Sequence, residues 1–313
     1  MKKIVIIAQL VLSILFSSNK IQAQYFAVDD AYFYSPLVFE AGASLGSMNC
    51  LTDIGGNKGV GDKYFKDLNL GKSTFCLGGF INYTYKSAVG LRLEAAFGKV
   101  MADDQVLKSV PVSDMAYRRY NRNLNFQSKI NEFSLTAELH PLFIFINWVN
   151  RDKVPPRYSP YLLGGVGYFS FNPQANLQGR LIDLQPLSTE GQGFSEYPDR
   201  KVYQLKQFNY PLGVGVKYDL SSIVKLRAEF VYRVLNTDYL DDVSKTYINP
   251  ELFKNYFGEG TVQCDNAIIL NDRQITPVTN PIGGGRRGIS TNNDSYFSAN
   301  LKISMVIGAQ KMY

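Results

Sequence analysis

The chain has 313 residues, of which 45% are hydrophobic, 13% aromatic and 19% charged, and its formal net charge is +6. This composition excludes a disordered chain, a collagen and a small disulfide-rich domain. Beyond the N-terminus no apolar run approaches the ~20 residues of a membrane-spanning helix. A transmembrane β-barrel is not excluded, because its strands alternate apolar and polar residues and leave the mean hydropathy near zero.

The N-terminus has the pattern of an export signal. A basic start, Met1–Lys3, precedes an apolar run from Ile4 to Phe16, and the run ends before a small-residue cleavage site at Ala23. The apolar run is too short for an anchor helix. We therefore predict a signal peptide over 1–23, an N-terminal periplasmic segment over 24–36 and an outer-membrane barrel domain over 37–313.

Cleavage at this site changes the charge balance. It removes three of the 33 basic residues (Lys2, Lys3 and Lys20) and no acidic one, which lowers the net charge from +6 to +3. So small an excess on an exported protein argues against nucleic acid as a partner.

Eight segments of the mature chain alternate apolar and polar residues with the period of two that is typical of strands, and the fifth, rich in glycine and aromatic residues, does so with a weaker phase. Each is long enough for the ~9–11 residues of a tilted membrane strand. They lie at 37–46, 74–85, 89–98, 132–140, 160–172, 208–218, 226–234 and 297–307. Pro211 interrupts the sixth segment and predicts a bulge or a position near the rim.

The connections between these segments are alternately long and short. This asymmetry predicts an all-β fold, an eight-stranded up-and-down antiparallel transmembrane β-barrel of the OmpA-like type, with long extracellular loops and short periplasmic turns. A soluble β-sandwich also alternates, but here aromatic residues crowd the ends of the apolar faces, where interfacial girdles lie. These residues are Phe75, Tyr83, Tyr85, Phe143, Trp148, Phe169, Phe171, Phe208, Tyr210, Tyr218, Tyr232 and Phe297.

The polar faces of the predicted strands carry equal numbers of opposite charges. An eight-stranded barrel has an interior that side chains just fill, and buried ions persist only in pairs. We therefore predict a crosslinked ionic plug rather than an ion or substrate path. Its members are Glu40, Arg92, Glu94, Glu132, Glu138, Lys217, Arg227, Glu229, Arg233 and Lys302.

The sequence offers little for catalysis, and we predict no enzyme, no cofactor and no metal site. The only histidine, His140, falls low on the fourth strand, where a hydrogen bond in the lumen is expected. A Ca²⁺ site at Asp238, Asp241 and Asp242 is conceivable, but the spacing is not that of an EF-hand and favours a solvated acidic turn. The glycine-rich stretch 283–288 lacks the features of a phosphate loop and indicates a flexible external segment.

Three cysteines, Cys50, Cys76 and Cys264, leave at least one thiol unpaired. Their spacing matches no zinc pattern. Free thiols are favoured, and a Cys50–Cys264 disulfide is the alternative.

Six segments resemble a family of Bacteroidetes outer-membrane β-barrels, the one that contains the PorG component of the type IX secretion system. The similarity runs from about Phe39 to Tyr256, and the loop from Gly258 to Asp294 matches no part of the family. The segments are Tyr120–Phe126, Ser159–Tyr161, Phe171–Pro173, Leu184–Leu187, Thr189–Gly193 and Thr237–Tyr247.

The resemblance implies a non-catalytic outer-membrane barrel that helps to anchor a periplasmic ring of PorK and PorN type in a protein-export apparatus. Such a barrel has outer-membrane lipids and the ring proteins as its partners. The longest short-side turn, Asn147 to Ser159, is the candidate ring contact, through Trp148, Arg151, Lys153 and Arg157. The same turn also fits an ordinary interface anchor whose cations meet lipid head groups. The alternative function is a general membrane anchor or a small porin-like barrel outside secretion.

Overall fold

The computed structural model describes residues 37–57, 70–146, 156–277 and 284–307. The predicted signal peptide and N-terminal segment lie outside the described residues, as do Trp148, Arg151 and Lys153 of the candidate contact turn.

Eight long antiparallel strands of 12 to 15 residues form the wall of a closed barrel. Each pairs with the next along the chain, and the last pairs with the first, so no edge is left open. The strands are β1 Leu37–Leu51, β2 Thr74–Tyr85, β3 Val89–Asp103, β4 Asn125–Leu139, β5 Tyr158–Ser170, β8 Lys206–Asp219, β9 Val224–Leu235 and β10 Ser295–Ile307. This closure confirms the predicted eight-stranded antiparallel barrel.

Two further strands form a hairpin that extends β4 at one end of the barrel. They are β6 Pro173–Leu177 and β7 Arg180–Asp183, and Gln174 of β6 pairs with Gln127 of β4. The hairpin lies in the long connection between β5 and β8, which the alternation pattern leaves without a strand.

The helices are short and lie outside the wall. They are α1 Tyr117–Arg122, α2 Pro141–Ile144, α3 Glu251–Phe257 and α4 Val262–Asn271, with single 3-10 turns at Leu70–Lys72, Asp104–Leu107 and Gln185–Leu187. Among the described residues, no helix is long and apolar enough to cross a bilayer.

Side-chain parity divides the wall into an apolar outside and a polar inside. Large apolar side chains are exposed on the outer face of every wall strand, whereas most polar side chains of the strands are buried. Because a protein in water buries such apolar side chains, an outward apolar band around a closed barrel indicates contact with lipid. Examples, one from each strand, are Leu45, Leu77, Leu93, Leu135, Leu162, Leu212, Phe230 and Leu301.

Two details of the wall differ from the sequence prediction. Phe169 and Phe171 are buried inside the loop end of the barrel and stack on each other, so their assignment to an outer girdle is wrong. Around Gly164 and Gly165, both the odd-numbered and the even-numbered positions of β5 are apolar. The alternation therefore does not tell which side chains of this strand face outward. Of the two alternatives predicted for Pro211, the bulge is absent: pairing with β5 is interrupted there, but the register is the same on both sides of the gap.

The four long connections lie at one end of the barrel, here named the loop end; the opposite end is the turn end. Buried apolar residues of these connections, together with residues at the loop ends of the strands, form one small cluster of Leu107, Val110 and Ala116 and two larger clusters. One continues the interior of the wall with Phe126, Phe169, Leu240, Val243 and Tyr296. The other lies within the connections and joins Leu187, Phe253 and Leu270. The long connections therefore fold into a packed cap over the barrel.

Candidate functional site: a charged lumen under a folded cap

A buried ionic network crosses the centre of the lumen. The Arg92 guanidinium on β3 lies 2.7 Å from a Glu229 carboxylate oxygen on β9 and 3.4 Å from Glu94, and it also pairs with Glu138 on β4. Lys302 on β10 lies 2.6 Å from Glu229 and 2.5 Å from Glu94. Five charges from four strands are thus joined into one group.

Two smaller ion pairs lie beside this group. Arg227 lies 2.7 Å from Glu40, and Arg233 lies 3.1 Å from Glu132. The Ser304 hydroxyl donates to Glu40 at 2.9 Å. Nine of the ten charges predicted for the lumen therefore lie in buried ion pairs.

The tenth predicted charge is Lys217. It is buried, but among the described residues it has no ion-pair partner within 4.0 Å. A further ion pair, absent from the predicted set, joins Lys225 and Asp219 at 2.9 Å at the turn end. Both of these residues stand at strand ends, where too few neighbours define an alternation.

An aromatic ring supports the cations of the lumen. Phe80 on β2 is buried, and the cationic groups of Arg92, Arg227 and Lys302 lie 5.3, 5.4 and 5.0 Å from its ring centroid. The ring face attracts cations electrostatically. Sequence reasoning missed Phe80 because the neighbouring Gly79 and Ile81 are also apolar, and the charges it serves lie on other strands.

His140 follows β4 at the turn end and is buried. Its Nδ1 lies 2.8 Å from the Ser159 hydroxyl oxygen and its Nε2 lies 3.4 Å from a Glu138 oxygen. The order Ser, His, Glu is that of a nucleophilic triad. However, Ser159 is only 2% exposed and faces the packed lumen, so no substrate has access to it. The geometry supports a hydrogen-bonded role within the network.

Above the lumen, Arg122 ties three of the long connections together. Its guanidinium donates to both carboxylate oxygens of Asp104 at 2.9 Å. It also donates to the backbone carbonyl oxygens of Asp53 and Arg287, both at 2.7 Å. Asp53 belongs to the β1–β2 connection, Asp104 to the β3–β4 connection and Arg287 to the β9–β10 connection.

A second buried arginine ties the remaining connection to this group. Arg287 lies 3.1 Å from Glu190, which belongs to the β5–β8 connection, and it donates to the Asp242 carbonyl at 2.7 Å. The Glu190 carboxylate in turn accepts from the backbone N–H groups of Ser244 and Lys245 at 3.0 and 2.9 Å. The predicted flexible segment is thus wrong at Arg287, which is 3% exposed.

The acidic group after β9 is buried rather than solvated. Asp241 and Asp242 have no exposed surface, and Asp238 is 8% exposed, so the predicted solvated turn is wrong. The reason is that Leu240 and Val243 of the same segment enter the apolar cluster and carry the carboxyl groups inward.

The three aspartate carboxyl groups differ in how many hydrogen bonds they accept. Asp241 accepts from the Ile54 and Val243 N–H groups, and Asp242 accepts from the Thr189 and Tyr203 hydroxyls. Among the described residues, neither side-chain oxygen of Asp238 has a hydrogen-bond partner. In the same part of the chain, no group of three or more His, Cys, Asp or Glu side chains is placed to hold a metal ion. All three cysteines are free and buried.

Burial raises the pKa values of this acidic group. It raises the pKa of Asp238 to about 9, of Asp241 to about 8 and of Asp242 to about 6. An exposed aspartate has a pKa of roughly 4. The closed cap therefore holds protons that the opened cap releases, and its stability falls as the pH rises from roughly 4 to the raised values.

Asp238→Asn is expected to make cap closure less sensitive to pH, because, of Asp238, Asp241 and Asp242, it removes the aspartate whose pKa is raised most. The measurement is the rate at which the buried Cys264 thiol reacts with a maleimide, followed by mass spectrometry. The ratio of wild-type to variant rates should rise with pH, by at most about tenfold per unit between pH 5 and 9. Asp183→Asn, at an exposed aspartate of β7, is the control; a ratio independent of pH would contradict the prediction.

Comparisons with known proteins add no family. No protein-family model and no curated protein sequence matches the chain. Among solved structures, Neisserial surface protein A is 10% identical, with 87% of this chain and 98% of that chain covered and a TM-score of 0.36. Ail of Yersinia pestis is 9% identical, with coverage of 86% and 98% and a TM-score of 0.35. The outer membrane protein OprG from Pseudomonas aeruginosa is 12% identical, with coverage of 87% and 96% and a TM-score of 0.31.

TM-scores this low carry no argument about the class of protein, so the class is inferred from the strand pairing of the chain itself. The wall is closed, antiparallel and eight-stranded, with apolar side chains outside and paired charges inside. These are the features of an outer-membrane type of transmembrane β-barrel.

Proposed function

We propose that the protein is a non-catalytic structural barrel of a Gram-negative outer membrane, and that it serves as a PorG-like component of a type IX secretion system. In this role it anchors a periplasmic ring of PorK and PorN type at its turn end. The observation that carries the structural role is the lumen, which is filled by paired charges and covered by the cap.

The filled lumen favours this role over a porin-like one. A conducting barrel needs a water-filled passage, whereas eight strands enclose only enough space for side chains. Opening this interior would separate buried ion pairs, each of which is costly to break. A steady large conductance in planar bilayers would support the porin-like alternative instead.

The secretion role is supported by the family resemblance and by the placement of the short connections. With the long connections outside the cell, the β4–β5 turn faces the periplasm. Arg157 is exposed just before β5, and its backbone carbonyl accepts from the Asp219 N–H at 2.8 Å, which fixes the base of this turn on β8. The tryptophan and the three basic residues in the sequence of this turn would suit an anionic protein surface.

Removing the side chains of this turn is expected to reduce ring attachment. The variant W148A/R151Q/K153Q/R157Q should retain less periplasmic ring lipoprotein on co-purification and should lower export of C-terminally tagged cargo, because the proposed contact is lost. Lys86→Gln in the short β2–β3 turn is the control and should change neither. Membrane levels of both barrels should equal the wild type.

Gene loss separates the two functions. Loss of cargo export supports the secretion role, with the turn variant showing a partial form of the same defect. Normal export together with altered envelope permeability would contradict it and would leave the general membrane anchor.

A further inference from the structure

The outer face of the wall carries almost no charge. In the described part of the chain, the outward positions of the eight wall strands hold four charged residues, all near the loop end. Asp103 at the end of β3 lies 3.3 Å from Lys72 and is thus paired. The other three are lysines: Lys99 on β3, Lys129 on β4 and Lys206 on β8.

Strand register places the three lysines on one side of the barrel. Lys99 and Lys129 are directly opposite each other across the β3–β4 pair. Lys206 is opposite Ser170, which is opposite Asn131, so only β5 separates its strand from that of Lys129. With strands 4.8 Å apart and two residues along the strand, the Lys129 and Lys206 Cα atoms are roughly 12 Å apart.

An aromatic belt lies directly below these lysines on the same strands. Phe133, Tyr168 and Phe208 are successive register partners and are exposed, and Phe97 lies against Phe133 at a centroid distance of 6.4 Å. Aromatic belts mark the membrane–water interface of transmembrane barrels. Lys99 and Lys206 lie two residues beyond the belt along their strands and Lys129 lies four residues beyond it, which places all three at the level of the lipid head groups.

Within the part of the chain that the structure describes, the three lysines have no anionic partner. Like charges directly opposite each other on a sheet destabilise it. Among the described residues no carboxylate lies within ion-pair distance of the three ammonium groups. The contact of Lys99 is with a neutral group, the Gln127 side-chain oxygen at 3.3 Å. The strands of the opposite half of the wall, β1, β2, β9 and β10, place no charged residue outward.

We propose that Lys99, Lys129 and Lys206 form a binding site for the phosphate groups of an anionic lipid in the leaflet at the loop end. The acyl chains of this lipid lie along the apolar wall, and its phosphates are held by the three ammonium groups above the aromatic belt. A lipid with phosphomonoester groups, such as the lipid A of an outer leaflet, has the charge and the depth that this site requires. The site rests on the proposed membrane placement, but not on a role in secretion.

The test compares lipid retention by the full chain purified in a neutral detergent. Native mass spectrometry counts the molecules of phosphatidic acid that stay bound, with phosphatidylcholine of the same acyl chains as the uncharged reference. The variant K99Q/K129Q/K206Q should bind phosphatidic acid on the order of 100-fold more weakly, since each basic residue near a membrane surface contributes about 1 kcal/mol. The control K108Q/R180Q/K201Q removes three exposed cations from the cap and should bind as the wild type does.

Further outcomes separate the possible results. Equal loss in both triple variants, or equal retention of the two lipids by the wild type, would overturn the site. Displacement of phosphatidic acid by an equal concentration of inorganic phosphate would show a free-anion site and would also overturn it. Insertion into vesicles of pure phosphatidylcholine tests membrane placement by itself, because failure there contradicts the proposed function regardless of the lysines.

Discussion

Arg92→Met is expected to destabilise the barrel by about 3–5 kcal/mol, the usual cost of removing one partner from a buried ion pair. Met is close in length and apolar, so the loss comes from the carboxylates that remain. Glu138 has no exposed surface and Glu229 is 6% exposed, so neither can be rehydrated in place. In this variant Lys302 still neutralises Glu229. Among the described residues, Glu138 has an ion pair with Arg92 and a contact with His140, so the substitution removes its only arginine or lysine partner.

The measurement is urea unfolding of the protein in phospholipid vesicles, followed by loss of the compact, heat-modifiable form on gels. Arg118→Met is the matched control, because Arg118 is exposed in the β3–β4 connection and should change the midpoint little. The double variant R92M/E138Q should recover part of the loss, since it removes one of the unpaired carboxylates together with the cation. Equal midpoints for R92M and R118M would show that the network does not stabilise the fold.

The central network also shows how far the sequence determines the lumen. Side-chain parity is a local property, so alternation along β3 and β9 is enough to predict that Arg92 and Glu229 face inward. Their contact depends on the stagger of strands that are distant in the chain, which no single segment encodes. Phe80 was missed for a related reason: its role is to face cations supplied by β3, β9 and β10.

The cap could not be predicted from local patterns. The connections that form it show no sustained alternation of apolar and polar residues. Because aspartates are most often exposed, the acidic group after β9 is predicted to be solvated. The decisive residues were the apolar ones between the aspartates. Leu240 and Val243 are completely buried, and their packing fixes the position of Asp241 and Asp242 beneath the other connections.

Arg287→Met is expected to open the cap while leaving the wall intact. The substitution leaves Glu190 of the β5–β8 connection buried without its cation, and it removes a hydrogen bond to the Asp242 carbonyl within the β9–β10 connection. Glu190 keeps the Ser244 and Lys245 N–H donors, so we expect a loss of about 3 kcal/mol, at the low end for a buried pair. Cap opening should therefore be on the order of 100-fold more frequent.

The reaction of Cys264 with a maleimide reports this opening, because α4 is packed into the cap and its thiol is buried. Arg286→Met, one residue away and exposed, is the control and should label as the wild type does. Arg287→Lys should lie between the two, since it keeps the charge but loses the fork that reaches Glu190 and Asp242 together. If R287M labels no faster than R286M, the Arg287–Glu190 ion pair does not help to hold the two connections together. If it labels faster and also lowers the urea midpoint of the wall as R92M does, the cap and the lumen unfold as one unit rather than as a separable lid on a stable barrel.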